Sequence, residues 1–224
     1  SHKTCSATEN PELFWATVGG MGLTGIISEV TLKLIPIQSA QIMVSNHAAK
    51  NLEQLFQLLQ DPALDDSYSV AWIDCLANGE HLGRGIAMFG HHASTAEIST
   101  AKSGNANPLQ IKARRPHSLP FDFPSWLLNP LSISLFNKLY YYRESRKKSP
   151  FLSDYDSYFY PLDSIGQWNR MYGKRGFVQY QCVIPDKTAL PGITALLNTL
   201  SGSRRASFLA VLKRFGGEGK GMLS

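Results

Sequence analysis

The sequence predicts an α+β fold in which helices pack on one face of an antiparallel sheet. Several short segments alternate apolar and polar residues, as is typical of strands. Two other segments repeat their apolar residues at the spacing of an amphipathic helix. Several strands with two helices between them, and no internal repeat, favour an antiparallel sheet covered by helices.

The first predicted element is a short helix that begins at Asn10 and Pro11, with Asn10 as its cap and Pro11 at its first helical position. Residues 26–35 then alternate in a β-branched run that indicates a strand. Between them lies a literal G-x-G-x-x-G at Gly20, Gly22 and Gly25. A Rossmann phosphate loop follows a strand and opens a helix, so this order disfavours a nicotinamide site.

The glycines leave two interpretations open. Glycine lacks a Cβ and permits positive φ, so neighbouring N–H groups can turn toward a ligand or another segment of the chain. The alternative is a tight turn that needs glycine for steric reasons only.

The remaining elements follow from the same two patterns. In chain order we expect a strand over 41–44, a helix over 52–59, strands over 67–75 and 82–90, a long and partly irregular excursion over 94–150, a strand over 177–184, a helix over 189–200 and a strand over 207–215.

Composition excludes several classes of protein. The 224 residues are 43% hydrophobic, which is enough for a substantial core and unlike a disordered chain. The net charge of +5 would suit anionic lipid, phosphate or nucleic acid, but it is modest, and we expect no nucleic-acid partner. No run of 18 apolar residues indicates a membrane span, and no signal peptide is visible.

The cysteines predict the redox compartment, and the ends of the chain predict that the sequence is a fragment. Cys5, Cys75 and Cys182 lie far apart and form neither a zinc motif nor a disulfide framework, so we expect a reducing compartment, the cytoplasm. The chain begins abruptly and ends in a glycine-rich loop, and we expect a fragment of a larger protein.

Two predicted strands carry candidate binding residues. Gln179 and Gln181 share one face of the strand 177–184, where two amides would bind hydroxyls of a polar ligand or simply face water. Lys213 is the one charge on its face of the last strand, beside Val211 and Phe215; it would bind a phosphate or oxyanion, or reach out to water. Trp72, on an earlier strand, is more typical of a core residue than of a ligand platform.

Two further motifs are weaker indications of function. The pair His91-His92 resembles half a metal site, but no other ligand stands at the usual spacing, and we expect no metal. The run 216–220, GGEGK, fails as a Walker loop because Arg214 stands where a glycine is required.

The tract 124–148 combines aromatic and aliphatic residues with a run of cations. Such a tract would lie on the anionic inner face of the plasma membrane as a peripheral contact. The alternative is a buried helix followed by a solvated charged run.

At NPELFWATVGGMGLTGII the sequence resembles the end of the flavin domain in the vanillyl-alcohol-oxidase superfamily. Further motifs are similar to one branch of it, the decaprenylphosphoryl-β-D-ribose 2'-oxidases, over nearly the whole chain with gaps in the excursion. These motifs are Ala71-Trp72, YPLD at 160–163, QWNR at 167–170, GFVQYQ at 176–181, and Ser207-Phe208-Leu209 with Lys213 and Phe215-Gly216.

The resemblance implies an FAD-dependent oxidation of a sugar-ring hydroxyl, with the keto-sugar product reduced later by a short-chain reductase partner. The implied substrate is a small or lipid-linked sugar. It assigns Lys213 to catalysis and Gln179, Gln181, Trp72, Arg170, Val211 and Phe215 to substrate binding. It assigns Gly22, Gly25, Ile26 and Ile27 to FAD, residues 1–37 to the end of the FAD-binding domain, and 38–224 to an incomplete substrate cap.

The sequence departs from the pattern of that family at Phe159, where the family has tyrosine, and at Ala210, where it has asparagine. Parts of the family's flavin site also have no counterpart here, so we expect that this chain alone does not hold FAD tightly. Two alternatives remain: an oxidase of aldonolactones or alditols in the same superfamily, and a non-catalytic module.

Overall fold

The computed structural model describes residues 2–64, 66–101, 107–111, 118–124, 126–204, 207, 209–217 and 219–221. The chain divides into two compact units. One comprises Ser1–Pro36 and Phe215–Ser224, and the other comprises Ile37–Arg214.

The first unit contains the predicted short helix, α1, over Pro11–Thr17. Pro11 stands in its first turn as expected, but the Asn10 side chain makes no capping hydrogen bond and instead donates from Nδ2 to the Thr4 carbonyl oxygen at 2.8 Å. After the helix, a Cβ on Gly20 would lie 2.1 Å from the Ala16 carbonyl oxygen, so only glycine fits there.

The strand that the sequence predicts over 26–35 is not formed. Residues 25–37 contain neither helix nor strand, and the side chains of Ile26, Val30 and Leu34 are exposed. A strand is stabilised by hydrogen bonds to a neighbouring strand. In the described part of this unit no second strand supplies those partners, so alternation alone does not produce one.

The second unit is built on a five-stranded antiparallel sheet, which confirms the predicted α+β class. Its strands are β1 (Gln41–Ala49), β2 (Tyr68–Ile73), β3 (Gly85–His92), β4 (Phe151–Asp154) and β5 (Val211–Leu212). They lie in the order β4-β1-β3-β2-β5. The β1 to β3 ladder forms the centre, with Ile42 opposite His92 and Ala49 opposite Gly85.

Helices of the second unit pack against both faces of the sheet. They are α2 (Leu52–Gln60), α3 (Thr95–Ala101), α4 (Pro130–Ser145), α5 (Tyr155–Phe159) and α6 (Asp186–Ser203). The physical reason is visible in β2, where the consecutive residues Ala71, Trp72 and Ile73 are all buried. Because successive side chains point to opposite faces, a fully buried run needs cover on both sides.

The main core lies between the sheet and helices α2 and α6. Leu55 of α2 and Leu197 of α6 are buried against Ala71, Ala87 and Phe89 of the strands. Asn51 caps α2 by accepting a hydrogen bond from the Gln54 amide at 3.0 Å. Both helices match the predicted segments because each presents one apolar face to the core.

Helix α4 covers the opposite face, and it lies within the stretch predicted as a long excursion. Asn129 and Ser132 form a reciprocal capping box at its start, and Pro130 occupies its first turn. Glu144 near its end is buried and accepts a hydrogen bond from the Asn46 side chain of β1 at 3.0 Å. The tract 124–148 contains this helix, and a membrane contact of the tract stays a prediction; Ser125 lies outside the described residues.

Two further predicted strands differ in the structure. Residues 176–185 have no regular secondary structure, and Val178 is 98% exposed, because no described strand pairs with this segment. The last strand is limited to Val211–Leu212. Phe208, which the sequence places in that strand, lies outside the described residues.

A buried ion pair joins the two ends of the β2 to β3 connection. Asp74, 2% exposed, accepts hydrogen bonds from Arg84 Nε at 3.0 Å and Nη2 at 2.7 Å. Asn137 Nδ2 of α4 donates to the same carboxylate at 2.8 Å.

None of the described helices is long and apolar enough to cross a bilayer.

Replacing Arg84 with methionine tests this pair. The substitution leaves the Asp74 carboxylate buried without its cation, so we expect the free energy of unfolding to fall by about 3–5 kcal/mol in chemical denaturation. Arg214→Ala is the matched control, since it breaks the exposed Arg214 to Asp186 pair at 3.0 Å; we expect a change below about 1 kcal/mol. Equal losses in the two variants would contradict a special role for the buried pair.

Candidate functional site

The edge of the sheet at β2 and β5 brings three of the sequence-predicted site residues onto one face. Val211 lies directly opposite Trp72 in the antiparallel register, so both side chains point to the same side. Lys213 follows β5 by one residue and, by alternation, shares the side of Val211. Ala210 and Leu212 pack into the main core on the other side.

The edge continues beyond the two-residue strand. The Ile73 amide donates to the Ala210 carbonyl oxygen at 3.0 Å, and the Cys75 thiol donates to the Ser207 carbonyl oxygen at 3.3 Å. Burial raises the pKa of the Cys75 thiol above its ordinary value, which keeps it neutral. Cys75 therefore helps to fix the edge through its hydrogen bond, whereas Cys182 is exposed.

Trp72 is a core residue in this structure, as its position on a strand suggests. Its indole is 4% exposed, and its ring centroid lies 4.7 Å from that of Tyr140 of α4. Burial raises the pKa of Tyr140, and the nearby Glu144 carboxylate raises it further. Trp72 and Tyr140 thus form an apolar floor on the side of the sheet that carries Val211.

The polar contacts beneath this floor hold α4 in place. Asn137 donates to Asp74, and the Arg84 guanidinium that binds Asp74 also lies over the Tyr141 ring at 5.3 Å. The buried Oδ1 of Asn137 has no hydrogen-bond partner among the described residues. The sequence reasoning missed this cluster because Asp74, Arg84 and Asn137 are scattered along the chain.

Gln179 and Gln181 are not held on the sheet. Both side chains are exposed and lie within the irregular segment 176–185. That segment is anchored at its start, where the Phe177 ring packs 4.5 Å from Tyr172 and 5.2 Å from Trp168, measured between centroids. The sequence predicts that the two amides share one face of a strand, but no strand forms over these residues.

Arg170 has structural contacts of its own. Its Nη1 donates to the Leu119 carbonyl oxygen at 2.8 Å, and its Nε lies 3.9 Å from a carboxylate oxygen of Asp122. Its carbonyl oxygen also accepts from the Phe123 amide at 2.9 Å. Arg170 thereby ties residues 119–123 to the turn that contains it.

The remaining predicted site residues belong to the first unit. Gly22 and Gly25 have φ angles of 76° and 143°, and a Cβ at either position would meet no atom within 4 Å. Ile26, Ile27 and Phe215 are exposed. An open glycine turn followed by exposed apolar residues fits the edge of a planar, partly apolar cofactor such as a flavin.

A surface groove of the second unit lies away from these residues. It is formed between α2, α6 and the turn at Gly79–His81, and its wall includes Leu52, Leu190 and Asn198. None of the sequence-predicted site residues lines this groove. We therefore do not assign the predicted substrate contacts to it.

His91 forms a cluster that its sequence spacing does not reveal. Its Nδ1 lies 3.0 Å from the Asp66 carboxylate, and its Nε2 lies 3.0 Å from Glu97 Oε1 of α3. The other oxygen of Glu97 accepts from the Ser94 amide at 2.8 Å and hydroxyl at 2.7 Å. These Ser94 bonds, with His91, lower the pKa of Glu97 to about 2.

The geometry of this cluster requires a protonated ring. Ionised carboxylates only accept hydrogen bonds, so both can bind His91 only when both ring nitrogens carry hydrogen. Accordingly the Asp66 contact, with Glu97, raises the pKa of His91 above 6.5, although partial burial opposes the shift. The two carboxylates contact different ring nitrogens of His91. No group of three metal-binding side chains is found in the described part of the chain.

Comparison with known proteins supports the resemblance seen in the sequence. No family model matches the chain. The chain is 31% identical over 211 residues to the decaprenylphosphoryl-beta-D-ribose oxidase of Mycolicibacterium smegmatis, which covers 94% of this chain and 45% of that protein. It is 26% identical over 217 residues to an uncharacterised protein in the mprA 5' region of Streptomyces coelicolor, covering 95% of this chain and 58% of that one.

The chain thus spans about half the length of these relatives. The resemblance to decaprenylphosphoryl-ribose oxidases is confirmed as a similarity that covers nearly the whole chain. The comparisons do not address the individual site residues, which stay predictions.

The His91 cluster predicts a specific dependence on pH. Because the folded-state pKa is raised, the cluster contributes stability that is present in full below the unfolded value of 6.5 and is lost as pH rises through the folded-state pKa. We expect an NMR titration of the histidine rings to give His91 a pKa above 6.5, and Asp66→Asn to lower it. An unaltered His91 titration in the variant would contradict the assignment.

Proposed function

We propose that this chain is part of an FAD-dependent oxidoreductase that oxidises a ring hydroxyl of a pentose linked to a polyprenyl phosphate. The observation that carries the proposal is the 31% identity, over 94% of the chain, to a protein named as a decaprenylphosphoryl-beta-D-ribose oxidase. In this proposal the second unit supplies the substrate cap, and the first unit supplies one edge of the flavin site.

Lys213 is the proposed catalytic residue. Its side chain is exposed, and it follows β5, in which Val211 lies opposite Trp72. An ammonium group attracts a phosphate or the oxygen on which negative charge develops. This placement supports electrostatic stabilisation rather than proton abstraction as its role.

Gln179 and Gln181 are proposed to bind sugar hydroxyls, since an amide both donates and accepts hydrogen bonds. Their segment, 176–185, has no regular secondary structure, so no neighbouring strand fixes the two amides in one orientation. Phe215, exposed in the first unit, is a proposed apolar contact of the substrate. Arg170 would act indirectly by holding the neighbouring turn to Leu119.

The backbone of Gly22 and Gly25 and the residues Ile26 and Ile27 would contact the FAD. When bound, the flavin would accept the hydride that leaves the sugar carbon. The protein's own contribution is to position the substrate, to exclude water from it, and to stabilise charge on its oxygen. The resulting keto-sugar would be the substrate of a separate reductase.

Substitution of Lys213 tests the proposed site. In the flavin-loaded enzyme, Lys213→Ala should lower kcat/KM by more than about tenfold, because it removes a charged contact made to the reacting substrate. Lys187→Ala is the matched control, since Lys187 is also exposed but lies on α6. Unchanged kinetics in Lys213→Ala would remove this residue from the site.

A substrate comparison separates the proposed function from its alternative within the superfamily. We expect flavin reduction by polyprenylphosphoryl ribose under anaerobic conditions, and at least about a hundredfold slower reduction by free aldonolactones and alditols, which lack the phosphate for Lys213. The measurement is the loss of visible flavin absorbance. Faster reduction by the free sugars would reverse the assignment of the substrate.

A further inference from the structure

A small cavity lies at the edge of the sheet where β1 begins and β4 ends. The antiparallel register sets Gln41 directly opposite Asp154, so the two side chains point to the same face. Asp156 follows two residues later and lines the same cavity. The other described residues that line it are Ala40, Gln110, Ile111 and Tyr155. Its volume of about 10 Å³ accommodates a single water molecule or ion.

The side chain of Gln41 is buried with one polar atom unsatisfied. The residue is 7% exposed, and its buried Oε1 has no hydrogen-bond partner among the described residues. Both backbone groups are satisfied, because the Gln41 amide donates to Ser39 Oγ and its carbonyl oxygen accepts from the Ala93 amide, each at 2.9 Å. A buried amide oxygen without a partner costs free energy of folding, which indicates that this oxygen binds a ligand in the adjoining cavity.

The chemistry of the lining favours a cation as that ligand. Ionised Asp154 and Asp156 side chains only accept hydrogen bonds, and so does the amide oxygen of Gln41. No lysine or arginine is found among the described residues that line the cavity. One water molecule has two hydrogens to donate, whereas a divalent cation binds the amide oxygen and both carboxylates at once.

We propose that Gln41, Asp154 and Asp156 bind one calcium ion. Carboxylate and amide oxygens are hard ligands, which Ca²⁺ and Mg²⁺ prefer and which softer metals bind less readily. Ca²⁺ tolerates irregular sets of about six to eight oxygens, whereas Mg²⁺ requires an octahedron and retains several of its own waters, for which this cavity is too small.

The bound ion ties the start of β1 to the end of β4. The set contains two carboxylates and an amide, so it differs from a cluster of three acidic, histidine or cysteine ligands, which is not found in the described part of the chain. It also lies apart from the pair His91-His92. This inference does not depend on the proposed oxidation.

The test uses Tb³⁺ as a probe for Ca²⁺, because it is also a hard cation that prefers oxygen ligands. The measurement is Tb³⁺ luminescence sensitised by tyrosine in the full chain, since Tyr155 lines the cavity. We expect a saturable signal, which Ca²⁺ removes at a concentration at least about tenfold lower than Mg²⁺ does. The absence of a saturable signal, or displacement by Mg²⁺ as readily as by Ca²⁺, would overturn the proposal.

Substitutions of the ligands locate the ion. Asp156→Asn removes a negative charge and Gln41→Leu removes the buried amide oxygen, so each should weaken Tb³⁺ binding at least about tenfold. Gln41→Glu retains an oxygen at this position and adds a charge, so it should bind at least as tightly as the parent protein. Circular dichroism establishes that the variants are folded. If Gln41→Glu weakens binding as much as Gln41→Leu, Gln41 contributes packing only and is not a ligand.

Asp163→Asn is the matched control, since it makes the same chemical change at an exposed residue of the turn Pro161–Ser164. We expect it to bind Tb³⁺ within about twofold of the parent protein. Equal losses in Asp163→Asn and Asp156→Asn would show diffuse binding to surface carboxylates, and the proposed site would be wrong.

Thermal unfolding gives a second readout that needs no luminescent probe. An ion that binds only the folded state raises Tm, so saturating Ca²⁺ should raise the Tm of the parent protein. The same Ca²⁺ concentration should leave the Tm of Gln41→Leu unchanged. An equal rise in both proteins would contradict the proposed site.

Discussion

Much of the second unit depends on the hydrogen bonds that the buried carboxylate of Asp74 accepts. It joins the end of β2 to the start of β3 through Arg84 and joins both to α4 through Asn137. A second buried contact, between Glu144 and Asn46, lies seven residues further along the helix, which is about two turns. Two polar ties on one side of a helix fix its rotation about its own axis.

That fixed rotation has effects on both sides of α4. Toward the sheet it sets Tyr140 against Trp72 and so makes the apolar floor on the side of the sheet that carries Val211. Toward solvent it leaves the three leucines of the helix exposed. The rotation of α4 therefore depends on the same pair of buried, hydrogen-bonded carboxylates on both of its sides.

The sequence was sufficient to predict those elements whose apolar pattern depends on their own residues alone. Helices α2 and α6 follow from the spacing of their apolar residues, and β2 and β3 overlap the strands predicted over 67–75 and 82–90. Alternation also predicts one shared side for Val211 and Lys213, which stays a prediction. It failed at 26–35 and 177–184, because a strand needs a neighbour with free backbone groups, and a one-dimensional pattern does not identify that neighbour.

Sequence reasoning also missed features that depend on residues distant along the chain. Helix α4 has apolar residues on both its inner and outer sides, so it lacks the contrast by which amphipathic helices are recognised, and only Asn129-Pro130 signals its start. Asp66 and His91 are 25 residues apart and meet only after the sheet forms.

The spacing of the three cysteines predicts no disulfide framework. Their reactivity differs because the fold buries them to different extents. Cys75 is shielded and held as a thiol, whereas Cys182 stands beside Gln181 in the open segment. An alkylating reagent would therefore mark that segment selectively over Cys75, and its rate of reaction would show when the two amides become covered.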